Sequence, residues 1–235
     1  METNTKTTQP LWTYTLRLSM LVLLAWFLLC SCRKNNFSNE PQDAASFNVV
    51  NASPGPLTIN FFLNNYLVNG PVLAYTQGSG YILATTGIRK FDATAGGSVK
   101  SLVTDTIELQ KDKYYTIFIS GPNTSLSTLV TEDDLSLPPS GKAKIRFIQL
   151  SPDGGTLGLG IKGGAVLFAV QAFKTVSQFI IIDPASYTFE LKSNGSAIDE
   201  STADLMAGKI YTVWAGGLKE GIQTSSVQLQ ISMNN

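Results

Sequence analysis

The chain is organised around the stretch Glu132-Asp-Asp-Leu-Ser-Leu-Pro-Pro-Ser-Gly-Lys-Ala-Lys-Ile-Arg-Phe147. Its first half is acidic and is followed by Pro-Pro-Ser-Gly. This segment cannot continue a helix or a central strand. Its second half alternates basic and apolar residues, which is the period of a half-buried strand. The stretch therefore predicts the end of one folded module and the start of another.

The sequence on the two sides of this stretch repeats itself. Ser53-Pro54 recurs 98 positions later as Ser151-Pro152, and the segment Lys113–Phe118 recurs as Lys209–Trp214. Matches spread over a whole module indicate a duplicated domain, because solenoid units are only about 20–50 residues long. We therefore predict two repeats, repeat 1 over residues 46–138 and repeat 2 over residues 142–235.

Short strand signals separated by turn residues fill both repeats. Asn64-Asn65, Gly96-Gly97 and Asn194-Gly195 are typical of hairpin turns, because Asn and Gly tolerate positive φ. This pattern predicts an all-β chain with two tandem immunoglobulin-like or transthyretin-like antiparallel β-sandwiches. Beyond the N-terminus, only Asp199–Met206 fits a turn or two of helix. The strand candidates of repeat 1 are residues 47–52, 57–63, 72–75, 81–84, 88–93, 99–109, 114–120 and 126–131.

Composition and charge argue against several classes of function. The formal net charge is zero, so nothing in the charge balance predicts a nucleic-acid partner. The chain has no His, which removes the usual general base of Ser and Cys hydrolases and the commonest metal ligand. We therefore expect no enzymatic activity, no catalytic residues, no metal site and no cofactor.

The N-terminus predicts export. Leu18–Leu29 is almost entirely apolar, but it is shorter than the roughly 20 residues that a membrane-spanning helix needs. It fits the hydrophobic region of a secretory signal peptide, and Arg17 ends the positive region that precedes it. A plain signal peptide or an uncleaved anchor helix would be the alternatives to the lipoprotein signal described next.

Leu29-Cys30-Ser31-Cys32 resembles the lipobox of bacterial lipoproteins, with Leu at −3, a small residue at −1 and Cys at +1. The resemblance implies a lipoprotein signal peptide over residues 1–31, cleavage between Ser31 and Cys32, and acylation of Cys32 by fatty acids such as palmitate. Stable anchoring takes more than one chain, since each buried CH₂ contributes about 0.8 kcal/mol. Residues 32–45 are mostly polar and are predicted to form a flexible tether.

Three sequence segments carry a resemblance to a known family. They are Val49-Val50-Asn51-Ala52-Ser53-Pro54, Thr131-Glu132-Asp133-Asp134-Leu135 and Gly141-Lys142-Ala143-Lys144. On the basis of these segments, residues 46–233 resemble a secreted bacterial module known as domain of unknown function 4397. This module commonly occurs in tandem. The second copy departs from the pattern, because Gln149-Leu150-Ser151-Pro152 keeps only Ser-Pro. The family assigns no catalytic residues, so the resemblance implies none here.

Three features of the sequence are candidate ligand or metal sites. Ser53-Pro54 and Ser151-Pro152 are predicted to be turns rather than ligand loops. Glu132, Asp133 and Asp134 are consecutive, unlike the alternating ligands of a calcium loop, so a solvated acidic corner is expected. Trp214 lies on the face of its strand opposite the predicted core. It either packs against the neighbouring repeat or stacks on a sugar ring, and it is the one candidate ligand contact.

Together these observations predict a non-catalytic lipoprotein of the bacterial envelope, anchored through Cys32 to the outer membrane on its periplasmic or surface face. Its two modules are expected to bind a protein or glycan partner through loops on a rigid scaffold, or to act as a scaffold. The alternatives are a carbohydrate-binding accessory lipoprotein of a polysaccharide-uptake system and a structural adhesin or stalk component.

Replacing Cys32 by Ser should abolish acylation, because the thioether requires the thiol. Intact mass and membrane fractionation of wild type beside the Cys32→Ser variant measure this. The wild type should carry acyl mass and fractionate with membrane, and the variant should do neither. A wild-type protein without acyl mass would refute the anchor.

Overall fold

The computed structural model describes residues 43–219 and 226–234, which form sixteen β-strands and no helix. Accordingly, no helix among these residues is long and apolar enough to cross a bilayer. The predicted signal peptide, Cys32 and most of the predicted tether lie outside the described residues. The strands are β1 Ala44–Ala52, β2 Ile59–Leu63, β3 Tyr66–Leu67, β4 Ile82–Thr85, β5 Gly87–Ala95, β6 Ser101–Leu109, β7 Tyr114–Ser120, β8 Ser127–Glu132, β9 Ala143–Gln149, β10 Leu157–Ile161, β11 Val166–Gln171, β12 Ile180–Ile182, β13 Ser186–Ser193, β14 Ser196–Asp204, β15 Ile210–Gly216 and β16 Gln228–Met233.

Each repeat is a sandwich of two four-stranded sheets. Repeat 1 has an inner sheet in the order β4-β1-β7-β8 and an outer sheet in the order β3-β2-β5-β6. Repeat 2 has an inner sheet β12-β9-β15-β16 and an outer sheet β11-β10-β13-β14. Every strand of repeat 1 thus has its counterpart eight strands later in the same place. The prediction of an all-β chain with tandem sandwiches is confirmed.

One pairing in each sandwich is parallel, which the sequence did not predict. β1 pairs in parallel with β7, and β9 pairs in parallel with β15, while the other strand pairs are antiparallel. A parallel pair requires a long crossover. Here the crossover is supplied by the strands of the outer sheet, so the first strand of each repeat lies beside its seventh.

Each sandwich has its own apolar core between its two sheets. In repeat 1 the core is built around Phe47, Phe61 and Phe91, with Ile117 contributed by β7. In repeat 2 the counterparts are Ile145, Leu159, Phe189 and Val213. Alternation along β7 therefore places one face of that strand in the core, and β15 does the same in repeat 2.

A third apolar cluster joins the two sandwiches through the opposite faces of their inner sheets. It consists of Val50, Ala52 and Phe118 from repeat 1 with Ile148, Leu150 and Trp214 from repeat 2. Both faces of the inner sheets are therefore buried, and every residue of β9 and β15 is buried. A strand buried on both faces is expected to be apolar almost throughout, as β15 is.

Trp214 is fully buried in this cluster, at 0% exposure. Its ring centroid lies 6.3 Å from that of Phe118 and 6.2 Å from that of Tyr75, both in repeat 1. Trp214 therefore packs against the neighbouring repeat, and in this arrangement no face of its ring is open to a sugar. The prediction that Trp214 contacts a ligand is therefore wrong, because the other repeat covers the face of the strand opposite the core.

Three local predictions need correction. Residues 72–75 are not a strand, and only Leu73 bridges to Ile59. The third strand is instead β3, because the turn at Asn64 and Asn65, with φ of 48° and 70°, reverses the chain at once. Asp199–Met206 is not helical, since β14 continues to Asp204 along β13. β1 also starts at Ala44, two residues before the predicted start of repeat 1, and buries Ala45.

Replacing Trp214 by Ala should destabilise the whole unit, because it empties the centre of the cluster between the sandwiches. We expect a loss of about 3–5 kcal/mol in the free energy of unfolding, as for other buried aromatic truncations. Urea unfolding followed by circular dichroism measures it. A variant as stable as wild type would show that the cluster does not hold the sandwiches together.

Candidate functional site

The acidic segment after β8 does not form a shared cation site, because its three carboxylates pair with three different cations. Among the described residues, no group of three or more His, Cys, Asp or Glu side chains is placed to hold a metal ion. The pairs are Glu132 with Lys113 Nζ at 2.5 Å, Asp134 with Lys144 Nζ at 2.7 Å, and Asp133 with the Arg146 guanidinium. The hydrogen bond from Lys144 is the main reason that the pKa of Asp134 is lowered, to about 2.

The prediction of a solvated acidic corner is wrong for Asp133, which is buried and only 3% exposed. Its Oδ2 accepts hydrogen bonds from Tyr81 Oη at 2.7 Å and Thr116 Oγ1 at 2.5 Å, and its Oδ1 accepts one from Thr131 Oγ1 at 3.1 Å. Arg146 of repeat 2 donates to Oδ1 as well. Burial, reinforced by the negative charge of Asp133, raises the pKa of Tyr81. Both carboxylate oxygens are thus engaged, by three hydroxyl groups of repeat 1 and by the guanidinium of repeat 2.

Arg146 is the other half of this network and is 2% exposed. Its Nε donates to Thr212 Oγ1 at 2.9 Å, and its Nη1 donates to the backbone carbonyl of Glu132 at 3.2 Å. Its guanidinium carbon also lies 4.9 Å from the centroid of the Phe179 ring. The predicted half-buried strand that carries Arg146 is therefore buried on both faces. Its charge is tolerated because every polar neighbour is paired.

The Ser-Pro segments at the ends of β1 and β9 are structural turns. Asn51 is fully buried, and its Nδ2 donates to the carbonyls of Leu57 at 3.0 Å and Leu73 at 2.9 Å. Ser53 N donates to Asn51 Oδ1 at 3.0 Å, and Ser53 Oγ donates to the Gly121 carbonyl at 2.8 Å. In repeat 2 the side chain of Gln149 replaces Asn51 and binds the backbone of Ser151 and Gly155 in the same way. These groups face the protein interior and leave no donor set for a ligand.

An open cleft lies on the outer sheet of repeat 1, on the face turned away from the core. We call it the Phe62 cleft, and its volume is about 210 Å³. Phe62 is half-buried at its centre, Leu67 lies opposite Phe62 on β3, and Val99 is 97% exposed at its rim. The cleft thus combines an apolar surface with polar groups. It is lined by Phe62, Asn65, Lys90, Asp92, Thr94, Val99 and Ser101.

The floor of the Phe62 cleft is a nearly buried carboxylate. Asp92 pairs across the strand with Phe62 and is 7% exposed. Its Oδ1 accepts hydrogen bonds from Ser101 Oγ at 3.0 Å and from Thr104 Oγ1, and its Oδ2 lies 3.0 Å from Lys90 Nζ. The bond from Thr104 is the largest cause that lowers the pKa of Asp92. Asp92 is therefore held as an ionised, fixed acceptor beside an aromatic ring.

The same place in repeat 2 is closed. Gly160 stands where Phe62 stands in repeat 1, since each pairs with the acidic residue at the same register, Glu190 or Asp92. The Cε of Lys192 would lie 3.4 Å from a Cβ on Gly160, and Lys192 Nζ is paired with Glu190 at 3.1 Å. β11 also bulges over this face: a Cβ on Gly158 would meet the carbonyl oxygen of Phe168 at 3.1 Å.

Sequence reasoning missed this cleft. The alternation in Ile59–Leu63 does place Phe61 in the core and Phe62 on the opposite face. What the sequence lacks is the register that brings Asp92 and Lys90 beside Phe62. The contrast with Gly160, visible once the repeats are aligned, was the available signal.

The tandem sandwich defines the class of protein, and comparison with known proteins adds a family for its first half. Residues 45–160 match the family described as "Domain of unknown function (DUF4397)". The match covers repeat 1, the joint and the first two strands of repeat 2. The predicted family resemblance is confirmed for this one copy. No curated protein matches the chain.

Several solved structures match the chain at low sequence identity and low TM-score. The family 26 carbohydrate-binding module of Eubacterium rectale Amy13K, in complex with maltoheptaose, is 12% identical, with 81% of this chain and 95% of that chain covered and a TM-score of 0.26. A streptococcal virulence factor that binds α-glucan is 9% identical, with 77% and 97% covered and a TM-score of 0.22. The TIE protein of Bacillus anthracis is 9% identical over 72% of this chain, with a TM-score of 0.23, and this chain spans only 33% of its length. Likenesses at these scores say nothing about the ligand of this chain.

Replacing Arg146 alone by Asn should be more harmful than replacing Arg146 and Asp133 together. The single change leaves a buried carboxylate without its cation, which typically costs about 3–5 kcal/mol. The double change removes both charges, so much of that loss should be regained. A double-mutant cycle in urea unfolding measures the coupling between the two residues. Additive effects would show that the pair is not coupled.

Proposed function

We propose that the chain is a non-catalytic lipoprotein of the bacterial envelope that binds a protein or glycan partner through the Phe62 cleft. The observation that carries the proposal is the difference between the two repeats at one structural position. Repeat 1 keeps an aromatic ring, a fixed carboxylate and a lysine on an open sheet face. Repeat 2 fills the equivalent face with its own backbone and an internal ion pair.

The chemistry of the Phe62 cleft suits recognition. An exposed aromatic surface supplies apolar contact area, while polar groups fixed beside it supply direction. The Lys90 side chain is 53% exposed, so its ammonium group can donate a hydrogen bond to a ligand while it stays near Asp92. Because the cleft stands on paired strands rather than on a loop, little ordering is required when a partner binds.

Membrane attachment through Cys32 is part of the proposal and rests on the lipobox. β1 starts at Ala44, so eleven residues lie between it and Cys32. Fully extended, these would span at most about 40 Å. We also infer that repeat 2 is a second, diverged copy of the family found in repeat 1, since its strand order is the same.

Two narrower functions remain in competition with a general binding role. A carbohydrate-binding accessory lipoprotein would carry several aromatic side chains on one open sheet face. Among the described residues, the outward face of the outer sheet of repeat 1 carries one aromatic side chain, Phe62. It lies beside Leu67 and Val99. That surface suits one sugar ring better than a long polysaccharide. A stalk or adhesin component would associate with itself and bind no soluble ligand.

Replacing Phe62 by Ala should weaken binding by about tenfold or more, because it removes the apolar centre of the contact. The mature protein is run in affinity gels against a panel of soluble polysaccharides and tested on a glycan array. Retention that wild type shows and Phe62→Ala loses would support the cleft as the site.

Ile88→Ala is the matched control, since Ile88 is 73% exposed on the same strand as Lys90 but outside the cleft. Thermal unfolding of both variants checks that they are folded. Binding that survives Phe62→Ala would move the site elsewhere. Blank results from the array, the gels and pull-downs with envelope extracts, together with self-association in solution, would favour the structural role.

A further inference from the structure

The two repeats face each other through equivalent residues. Val50 corresponds to Ile148, because each pairs with the aromatic residue at the same register of the parallel strand, Phe118 or Trp214. All four belong to the cluster between the sandwiches. Contact of equivalent surfaces is the hallmark of a two-fold, isologous interface. The interface inside this chain therefore has the form of a homodimer contact.

The polar end of the interface repeats in the same way. Thr116 Oγ1 donates to Asp133 Oδ2 at 2.5 Å, and Thr212 Oγ1 donates to Asn234 Oδ1 at 2.8 Å. The backbone confirms the correspondence. Asp133 N donates to the Tyr114 carbonyl at 2.7 Å, and Asn234 N donates to the Ile210 carbonyl at 2.8 Å. Asp133 and Asn234 thus occupy one position in two copies.

Charge is what distinguishes the two copies there. Asp133 of repeat 1 is matched by the neutral Asn234 in repeat 2. Arg146 of repeat 2 is matched by the neutral Asn48 in repeat 1, since each pairs with the Thr at the same register. One repeat therefore brings a buried acid to the interface, and the other brings a buried base. Beside them Asp134 of repeat 1 pairs with the buried Lys144 of repeat 2 at 2.7 Å, which adds a second charge difference of the same sign.

We propose that Asp133 and Arg146 make this surface selective for the unlike repeat. Two copies of repeat 1 packed in this way would bury two carboxylates opposite Asn48, with no cation. Two copies of repeat 2 would bury two guanidinium groups opposite Asn234. Only the unlike pair neutralises both charges, whether the second repeat comes from the same chain or from another. Like-charge or unpaired contacts are a general means of excluding wrong partners.

Apolar packing is a second possible source of the same selectivity. Each residue that repeat 2 contributes is larger than its counterpart: Ile148 against Val50, Leu150 against Ala52, and Trp214 against Phe118. Like pairs would then be overfilled or underfilled. The test must therefore remove the charges and leave these residues unchanged.

The experiment uses the folded full chain with a protease site inserted after Leu137, which is 77% exposed in the joint. After cleavage, isotopically heavy and light samples are mixed, and urea is added until the cleaved repeats have exchanged between molecules. Native mass spectrometry then counts the like and unlike pairs of repeats. Wild type should give unlike pairs almost exclusively, because each unpaired buried charge disfavours a like pair by roughly several-hundred-fold.

The decisive variant is neutral at both ion pairs between the repeats: Asp133→Asn and Arg146→Asn at the first, Asp134→Asn and Lys144→Ser at the second. Arg146→Asn and Lys144→Ser give repeat 2 the residues that repeat 1 carries at the same register, Asn48 and Ser46. Like pairs should rise from about one in a hundred or fewer toward their statistical share of about half. Asn48→Arg, which gives repeat 1 both charges, should instead produce like pairs of repeat 1 only. Statistical pairing in wild type, or full selectivity in the doubly neutral variant, would overturn the proposal.

Discussion

The packing of the two inner sheets against each other is the constraint on which the rest of the structure depends. It buries the second face of β1, β7, β9 and β15, so these strands cannot carry exposed polar residues on either side. It also decides which surfaces remain for function. With both inner sheets covered, the open sheet faces are those of the two outer sheets, and the Phe62 cleft lies on one of them.

The two repeats share one strand order but differ at one surface of their outer sheets. The same register that sets Phe62 beside Asp92 sets Gly160 beside Glu190. At that position a glycine allows β11 and the Lys192 stem to close over the strand. An aromatic ring there keeps the surface apolar and open. Gly160, Lys192 and the irregular pairing of β11 thus fill in repeat 2 a surface that is open in repeat 1.

Much of the architecture could be predicted from the sequence, because it depends on local periodicity. The repeat, the turns at Asn64-Asn65 and Asn194-Gly195, and the core face of Tyr114–Ser120 all follow from spacing and residue type. Other features depend on distant partners. Alternation shows that Trp214 and Arg146 lie on a second face, but it does not show that another sheet covers that face. Asp199–Met206 was misjudged for the same reason, since its pairing with β13 decides its conformation.

The buried pair of Asp133 and Arg146 is better understood as a determinant of partner choice than of stability. A buried ion pair loses its hydration on both sides, so apolar residues of similar size would often stabilise the interface as well or better. Its hydrogen bonds to Tyr81, Thr116, Thr131 and Thr212 offset this cost without turning it into a large gain. What the charges add to the differences in apolar size is a penalty for each like pair, since a like pair would bury a charge without its partner. A buried charge of each sign supplies that penalty, and it does so at the point where the joint leads from the first repeat into the second.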